Sequence, residues 1–469
     1  MDLESDKPRD ACGVVAIYAP GEDVSRQAYF ALFALQHRGQ ESAGISVSEG
    51  EKMVVVKDMG LVAQVFDEHT LNALQGHLGI GHVRYSTTGS SSWENAQPVY
   101  RESAGRAIAL GHNGNLVNTL DLARELDSYA PTDRRATTDS DLIAELIVRT
   151  GLATREAILA TLPKLSGAFT LVMMDEKSVF GARDPLGLRP LSLGRFDSGN
   201  YVMASETCAL DLIGAQFVRE VEPGELVEIG ENGVQSHRYA PVNRRLCVFE
   251  HVYLARPDSV LHGKSVQKTR ITAGRILARE APVQADLVVP VPDSGRGAAA
   301  GFSQESGIAY AEGFVKSPYV GRTFIQPTQA IRQQGVAAKL NPISEVVSGK
   351  RLVVVDDSIV RGNTTRQIVH MLRRAGATEV HMRISSPPIK WPCFYGIDTG
   401  DQSELIASSN TVEEVRNHIG ADSLSYLSPE GLLASTDDDP DSFCTACFTA
   451  EYPIPVPDEI RGRKLMLEA

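Results

Sequence analysis

The stretch Val353-Val354-Val355-Asp356-Asp357-Ser358-Ile359-Val360-Arg361-Gly362-Asn363-Thr364-Thr365 decides how the second half of this 469-residue chain folds. A β-branched apolar run, suited to a strand buried on both faces, ends in two adjacent carboxylates. A short loop containing Gly362 then delivers Thr364 and Thr365 to the head of a helix. Ile368, Met371, Leu372 and Ala375 recur at three- and four-residue spacing, and Gly376 stands where a C-terminal cap belongs. Strand, loop and helix N-terminus form a cradle whose unpaired N–H groups and dipole suit a phosphate. Asp356 and Asp357 suit ribose hydroxyls or a Mg2+ ion. The plain alternative is a buried strand followed by a solvated turn, and the agreement of the whole run argues against it.

Outward from this run, apolar strands (Leu287–Pro290, Leu352–Val355) alternate with helical patterns from about residue 250 onward, which predicts a parallel α/β sheet. Residues 12 to about 240 instead carry strand-like runs (Val14–Ala19, Met53–Lys57, Ala168–Met174) between short helices and glycine turns. The length allows two or three domains, each with its own core. At 42% hydrophobic and 22% charged the composition is that of a globular protein. A net charge of −13 argues against a nucleic-acid partner, which would need a basic stripe. No apolar run is long enough to span a membrane, and Met1–Ala11 lacks the apolar core of a secretory signal. Six cysteines in so long a chain point to a reducing, cytoplasmic setting and to chemistry or metal.

Residues 353–365 resemble the diphosphoribosyl-binding motif of the type I phosphoribosyltransferases, which displace pyrophosphate from 5-phosphoribosyl-1-diphosphate with a nitrogen nucleophile. The family form reads R-G-T-T-S; here Asn363 replaces the first Thr and Thr365 the Ser. The resemblance implies that Asp356, Asp357, Arg361, Gly362, Thr364 and Thr365 bind the substrate. It further implies that the loop in Val289-Pro290-Val291-Pro292-Asp293-Ser294-Gly295-Arg296-Gly297 binds the pyrophosphate. Ser294 would then join Asp356 and Asp357 at Mg2+. The segment from Tyr319 to Asn341 carries Arg322, Arg332 and Lys339 and no acid. It resembles the loop that closes over the diphosphate, which gives Lys339 a substrate-binding role.

Cys12 lies in Ala11-Cys12-Gly13-Val14, directly before a predicted strand. Together with Gln36–Gly44, Gly81–Thr87 and His112–Leu116 it resembles the class II glutamine amidotransferases over roughly residues 12 to 235. In that family an N-terminal cysteine hydrolyses glutamine, with its own α-amino group as base. Such an amine titrates at roughly 7.7–8.0, close to working pH. Cys12 gains it only if residues 1–11 are a propeptide cleaved before Cys12. The resemblance makes Asn113 and Gly114 the oxyanion hole, although Asn-Gly is also a common hairpin turn. It makes Arg84 the clamp for the glutamine α-carboxylate. Asp139 becomes the partner of the α-ammonium, with a helix N-cap as its other reading and Asp141 as its rival. His37 and Arg38 are expected near domain contacts or the site, without an assigned step. Cys208 reads as a core residue.

Cys444-Thr445-Ala446-Cys447 places two sulfurs at chelate spacing, and Cys247 and Cys393 can be brought to them by folding. Four thiolates fit zinc or an iron–sulfur cluster, and spacing does not choose between them. The flanking sequences resemble the branch of the amidophosphoribosyltransferases that carries a structural [4Fe–4S] cluster. What this implies for the whole chain is a propeptide (1–11), a four-layer αββα N-terminal-nucleophile glutaminase domain (12–240) and a phosphoribosyltransferase domain of parallel α/β fold with a C-terminal cluster-binding segment (241–469). It also implies glutamine and phosphoribosyl diphosphate as substrates, purine nucleotides as feedback inhibitors and a homotetramer. A salvage phosphoribosyltransferase, another class II amidotransferase and a DNA-binding sensor of ribose diphosphate are the rivals. The glutaminase residues argue against the first, the diphosphoribosyl run against the second, and both the acidic charge and the glutaminase set against the third.

Overall fold

The computed structural model describes residues 11–85, 92–103, 105–129, 138–317 and 340–458. In the strand Gly13–Tyr18, Val15 and Ile17 face one core while Val14 and Ala16 face another, as a side-chain period of two requires. This strand lies inside a seven-stranded antiparallel sheet, between Tyr201–Ala204 and Leu78–Arg84. A six-stranded antiparallel sheet faces it, with Arg106–Leu116 paired to Gly167–Met174. There Val172 and Met174 enter the core between the sheets, and Phe169, Leu171 and Met173 the core outside them. Helices Ser25–Ala34 and Thr207–Leu212 cover the first sheet, and Asp139–Arg149 and Thr154–Thr161 the second. Three apolar seams thus separate four layers, the αββα order implied by the resemblance.

The C-terminal half is built on four parallel strands in the order Leu287–Pro290, Arg351–Asp356, Glu379–Ile384 and Ser423–Tyr426. Val353 and Val355 pack toward helices Val266–Glu280 and Gly295–Ser306. Leu352 and Val354 pack toward helices Asn363–Arg374 and Val412–Ile419. Both faces are covered, which is why the run reads as continuously apolar. The first two helices cross almost backbone to backbone. A Cβ on Gly274 would lie 1.9 Å from the Ala298 carbonyl oxygen, and one on Gly301 1.9 Å from that of Ile271.

A parallel ladder joins Leu246–Cys247 to Phe443–Cys444, setting Cys247 opposite Cys444. Phe314–Lys316 pairs with Leu340–Pro342, while Arg322, Arg332 and Lys339 lie outside the described residues. Among the described residues no helix is long and apolar enough to cross a membrane.

Two candidate active sites and a cysteine neighbourhood

Cys12 is buried at the mouth of its strand, and its thiol donates to the Tyr85 carbonyl at 3.5 Å. Burial pushes the thiol up, against a backbone hydrogen bond at Tyr85 and the positive charge of Arg84. Arg84 ends the strand Leu78–Arg84, and its guanidinium lies 3.9 Å from the Glu41 carboxylate. The loop over residues 36–41 runs flat against this strand and leads into the strand Ser42–Ser48, which pairs with it. A Cβ on Gly39 would lie 2.6 Å from the Val83 carbonyl carbon and 2.7 Å from the Arg84 backbone, so the approach requires glycine.

Asn113 and Gly114 do not form a hairpin turn. They sit inside the strand Arg106–Leu116, opposite Thr170 and Phe169. Asn113 is fully buried, and neither atom of its amide has a hydrogen-bond partner among the described residues. Leaving such a group unpaired costs about 1–3 kcal/mol, so the amide calls for a partner from outside the chain, a ligand or an ordered water.

Asp139 is not the helix N-cap; Thr138 is, accepting from the Asp141 N–H at 3.3 Å. The Asp139 carboxylate instead accepts from the N–H groups of Leu116 (3.1 Å) and Ser140 (2.8 Å) and lies 3.6 Å from His112 Nδ1. Burial acts to raise it, but His112 and the two N–H groups outweigh burial and hold it below the usual carboxylate range. Asp141 is engaged by Arg101. The charges of Arg84 and Asp139 both reach the Cys12 thiol, the first lowering it and the second raising it. Two supporting residues have no motif that marks their role in the sequence. His112 lies within the run His112–Leu116, and Gln97, without any pattern, bonds both the His112 N–H (2.8 Å) and the Ser140 hydroxyl (3.0 Å).

His37 and Arg38 lie at the contact between the halves. Fully buried Arg38 pairs with Glu206 and Glu250, and Arg189 meets the same Glu250 at 3.2 Å. His37 meets Glu206 at 2.7 Å, and Glu206 also accepts from the Ser259 hydroxyl at 2.6 Å. Burial would raise Glu206, yet His37 and Arg38 hold it well below the carboxylate range. Cys208, as expected, is a buried residue.

In the C-terminal half, Asp356 closes its strand and Asp357 follows, both buried. The Ser294 hydroxyl donates to Asp357 Oδ1 and the Ser358 hydroxyl to Asp357 Oδ2, each at 2.5 Å. These oxygens gather at the carboxyl ends of parallel strands, where open α/β sheets bind ligands. Gly362, at φ +85°, caps the helix Asn363–Arg374 and turns Thr364 and Thr365 into its first turn. Arg361 is held by Glu404 at 2.6 Å.

Cys247 and Cys444 face each other in register, Cys447 follows in the turn Ala446–Thr449, and Cys393 Sγ accepts from the Tyr395 N–H at 3.4 Å. Burial pushes Cys247 up to about 12, and Cys447 is raised by burial and then by Cys247, Cys393 and Cys444. The four thiols therefore share one neighbourhood. Among the described residues no set of three or more His, Cys, Asp or Glu is arranged to hold a metal ion. Neither the Mg2+ expectation nor the cluster expectation is met by a preformed ligand set.

A glutamine amidotransferase domain model matches residues 82–212. The amidophosphoribosyltransferase of Mycobacterium bovis is 55% identical over 100% of this chain and 90% of its own length. A solved glutamine phosphoribosylpyrophosphate amidotransferase from B. subtilis, complexed with ADP and GMP, is 47% identical with a TM-score of 0.90 over 96% of this chain and 98% of its own. A solved allosteric regulatory enzyme of purine biosynthesis matches over the same shares at 47% identity and a TM-score of 0.91. Because the likeness runs the length of the chain in both sequence and fold, the chain belongs to the amidophosphoribosyltransferase family and carries out the glutamine-dependent amidotransferase reaction on 5-phosphoribosyl-1-diphosphate in de novo purine synthesis.

Proposed function

We propose that residues 12–240 hydrolyse glutamine and that residues 241–469 receive its ammonia, and we assign the individual steps as follows. The observation that carries the assignment is the buried Asn113 amide without a partner among the described residues, on a strand that also leads to the Asp139 contact at Leu116. Arg84 takes the α-carboxylate of glutamine and Asp139 its α-ammonium. Cys12 attacks the amide carbon, and the oxygen that gains charge is received by the Asn113 side chain and the Gly114 N–H. The C–N bond breaks, ammonia leaves, and water hydrolyses the glutamyl thioester to glutamate. Burial keeps the Cys12 thiol protonated, so a base is required. The α-amino group freed by removing residues 1–11 serves, taking the thiol proton and passing it to the departing nitrogen.

The ammonia lone pair then attacks C1 of the ribose as its bond to pyrophosphate breaks. Asp356 and Asp357 hold the ribose hydroxyls, while Gly362, Thr364 and Thr365 hold the 5′-phosphate at the helix N-terminus. Arg361 and Lys339 bind the diphosphate. Two buried carboxylates with the Ser294 hydroxyl are the sparse oxygen set that Mg2+ accepts. When bound, Mg2+ neutralises charge on the leaving pyrophosphate. Free ammonia in neutral water is mostly protonated and no longer nucleophilic, so the reaction calls for a closed path between the sites.

A structural [4Fe–4S] cluster on Cys247, Cys393, Cys444 and Cys447 is supported by the register pairing of Cys247 with Cys444 and by the Cys444–Cys447 spacing, and ligation would have to displace the thiol protons that burial favours. The ADP and GMP bound in the B. subtilis relative support purine nucleotides as feedback inhibitors. The homotetramer implied by the sequence resemblance is carried as part of this proposal. In the test, purified protein is assayed with glutamine or ammonia and its N-terminus is sequenced. Cys12→Ala loses the glutamine-dependent reaction and keeps the ammonia-dependent one, and active protein begins at Cys12. An intact Met1 on active protein would sink the propeptide, and zinc without iron would sink the cluster.

A further inference from the structure

A loop of the C-terminal half reaches back onto the strand that carries Asn113. The Asn115 side-chain N–H donates to the Phe394 carbonyl at 3.0 Å, 279 positions later in the chain. Gly396, at φ +97°, lies against Gly114 so closely that a Cβ would stand 2.9 Å from the Gly114 carbonyl carbon and 3.0 Å from its Cα. On its other flank Gly114 abuts Ala168, whose carbonyl oxygen lies 2.1 Å from where a Gly114 Cβ would be. Gly114 is therefore gripped between its neighbouring strand and the loop. The loop is itself held in place. The Tyr395 carbonyl accepts from Arg189 at 2.9 Å, the Tyr395 hydroxyl donates to the Ile454 carbonyl at 2.5 Å, and the Cys393 N–H donates to Thr399 Oγ1 at 3.0 Å.

We propose that the loop Cys393–Gly396 is a positioning element of the glutaminase, holding Gly114 and Asn113 in register through Asn115 and Gly396. This rests on reading Asn113 and Gly114 as the oxyanion hole. The hole is then complete only while the C-terminal half is docked. A donor that acts on charge formed in the transition state contributes to kcat and little to KM, so displacing it leaves glutamine binding intact.

The experiment uses the full-length processed enzyme, with glutamine hydrolysis and ammonia-dependent synthesis measured side by side. In Asn115→Ala, kcat for glutamine hydrolysis should fall roughly tenfold or more while KM for glutamine stays within about twofold. Ammonia-dependent synthesis should be unchanged. Gly396→Ala should behave alike by pushing on Gly114 directly. Asn113→Ala separates the two readings. If it hydrolyses glutamine at the wild-type kcat, the oxyanion assignment fails and the positioning role with it. If Asn113→Ala is inactive while Asn115→Ala and Gly396→Ala keep the wild-type kcat, the loop proposal alone is overturned. A raised KM at constant kcat, or a parallel loss of ammonia-dependent synthesis in both loop variants, also overturns it.

Discussion

Asn113 shows how little a single residue's neighbours in sequence reveal about its environment. The dipeptide Asn113-Gly114 also suits a hairpin turn, and only the pairing to Thr170 and Phe169 shows it to be mid-strand. Asn113→Ala should lower kcat for glutamine about 10²–10³-fold with KM nearly constant, read from steady-state kinetics. Cys12, Arg84, Asp356 and Asp357 stand out in the sequence, and so enter the proposal, because each sits in a short run that matches a motif. Glu206, Glu250 and Arg189 do not, since the partners of an isolated charge lie far away in the chain, as Glu250 does 212 positions beyond Arg38. His251 makes a second residue-scale prediction. Neither of its ring nitrogens has a hydrogen-bond partner among the described residues, and burial pushes it down to about 4. His82, also buried, is pushed down to about 3. Unfolded imidazole titrates near 6.5, so below about pH 6.5 the unfolded chain binds protons that the folded one does not. Stability is full above that pH and falls as acid is added. Thermal half-lives should shorten from pH 6.5 toward pH 5, and His251→Leu should flatten that slope while matching the wild type at pH 8.

Elements were easier to read than their contacts. The strands Leu287–Pro290 and Arg351–Asp356 stand where apolar runs predict them, and the helix Asn363–Arg374 ends with Gly376 at φ +98°, just past its C-cap. What periodicity does not carry is the distance between two helix axes. The crossing of Val266–Glu280 with Gly295–Ser306 depends on Gly274 and Gly301, which in sequence look like ordinary helix-weakening residues. Gly301→Ala should raise helix propensity locally and still destabilise the C-terminal half by about 1–3 kcal/mol, because the added methyl meets the Ile271 carbonyl. Urea-induced loss of ammonia-dependent synthesis would measure it. A midpoint at or above the wild type would refute the close crossing.

The halves are joined by buried charge. Arg38, Arg189, Glu206 and Glu250 are each at most 1% exposed, so the network is shielded from salt. Glu250→Gln leaves two guanidiniums short of a counter-charge and should destabilise the docked state by about 3–5 kcal/mol. The loss should appear as a shortened thermal half-life of glutamine-dependent activity, nearly independent of ionic strength. A variant as durable as the wild type would show that the network is not needed for docking. Ala11 has a consequence on this same scale. It is 1% exposed, in the core that also contains Leu246, Phe443 and Phe448. The Ala11–Cys12 bond is thus enclosed by segments of the C-terminal half, out of reach of an external protease once the molecule has closed. A ribosome adding roughly 5–20 residues per second delivers Phe443 roughly 20–90 s after Cys12. If residues 1–11 are a propeptide that the folded chain removes itself, a half-made molecule cannot release ammonia, and the proposed nucleophile is armed only when the acceptor site has been synthesised.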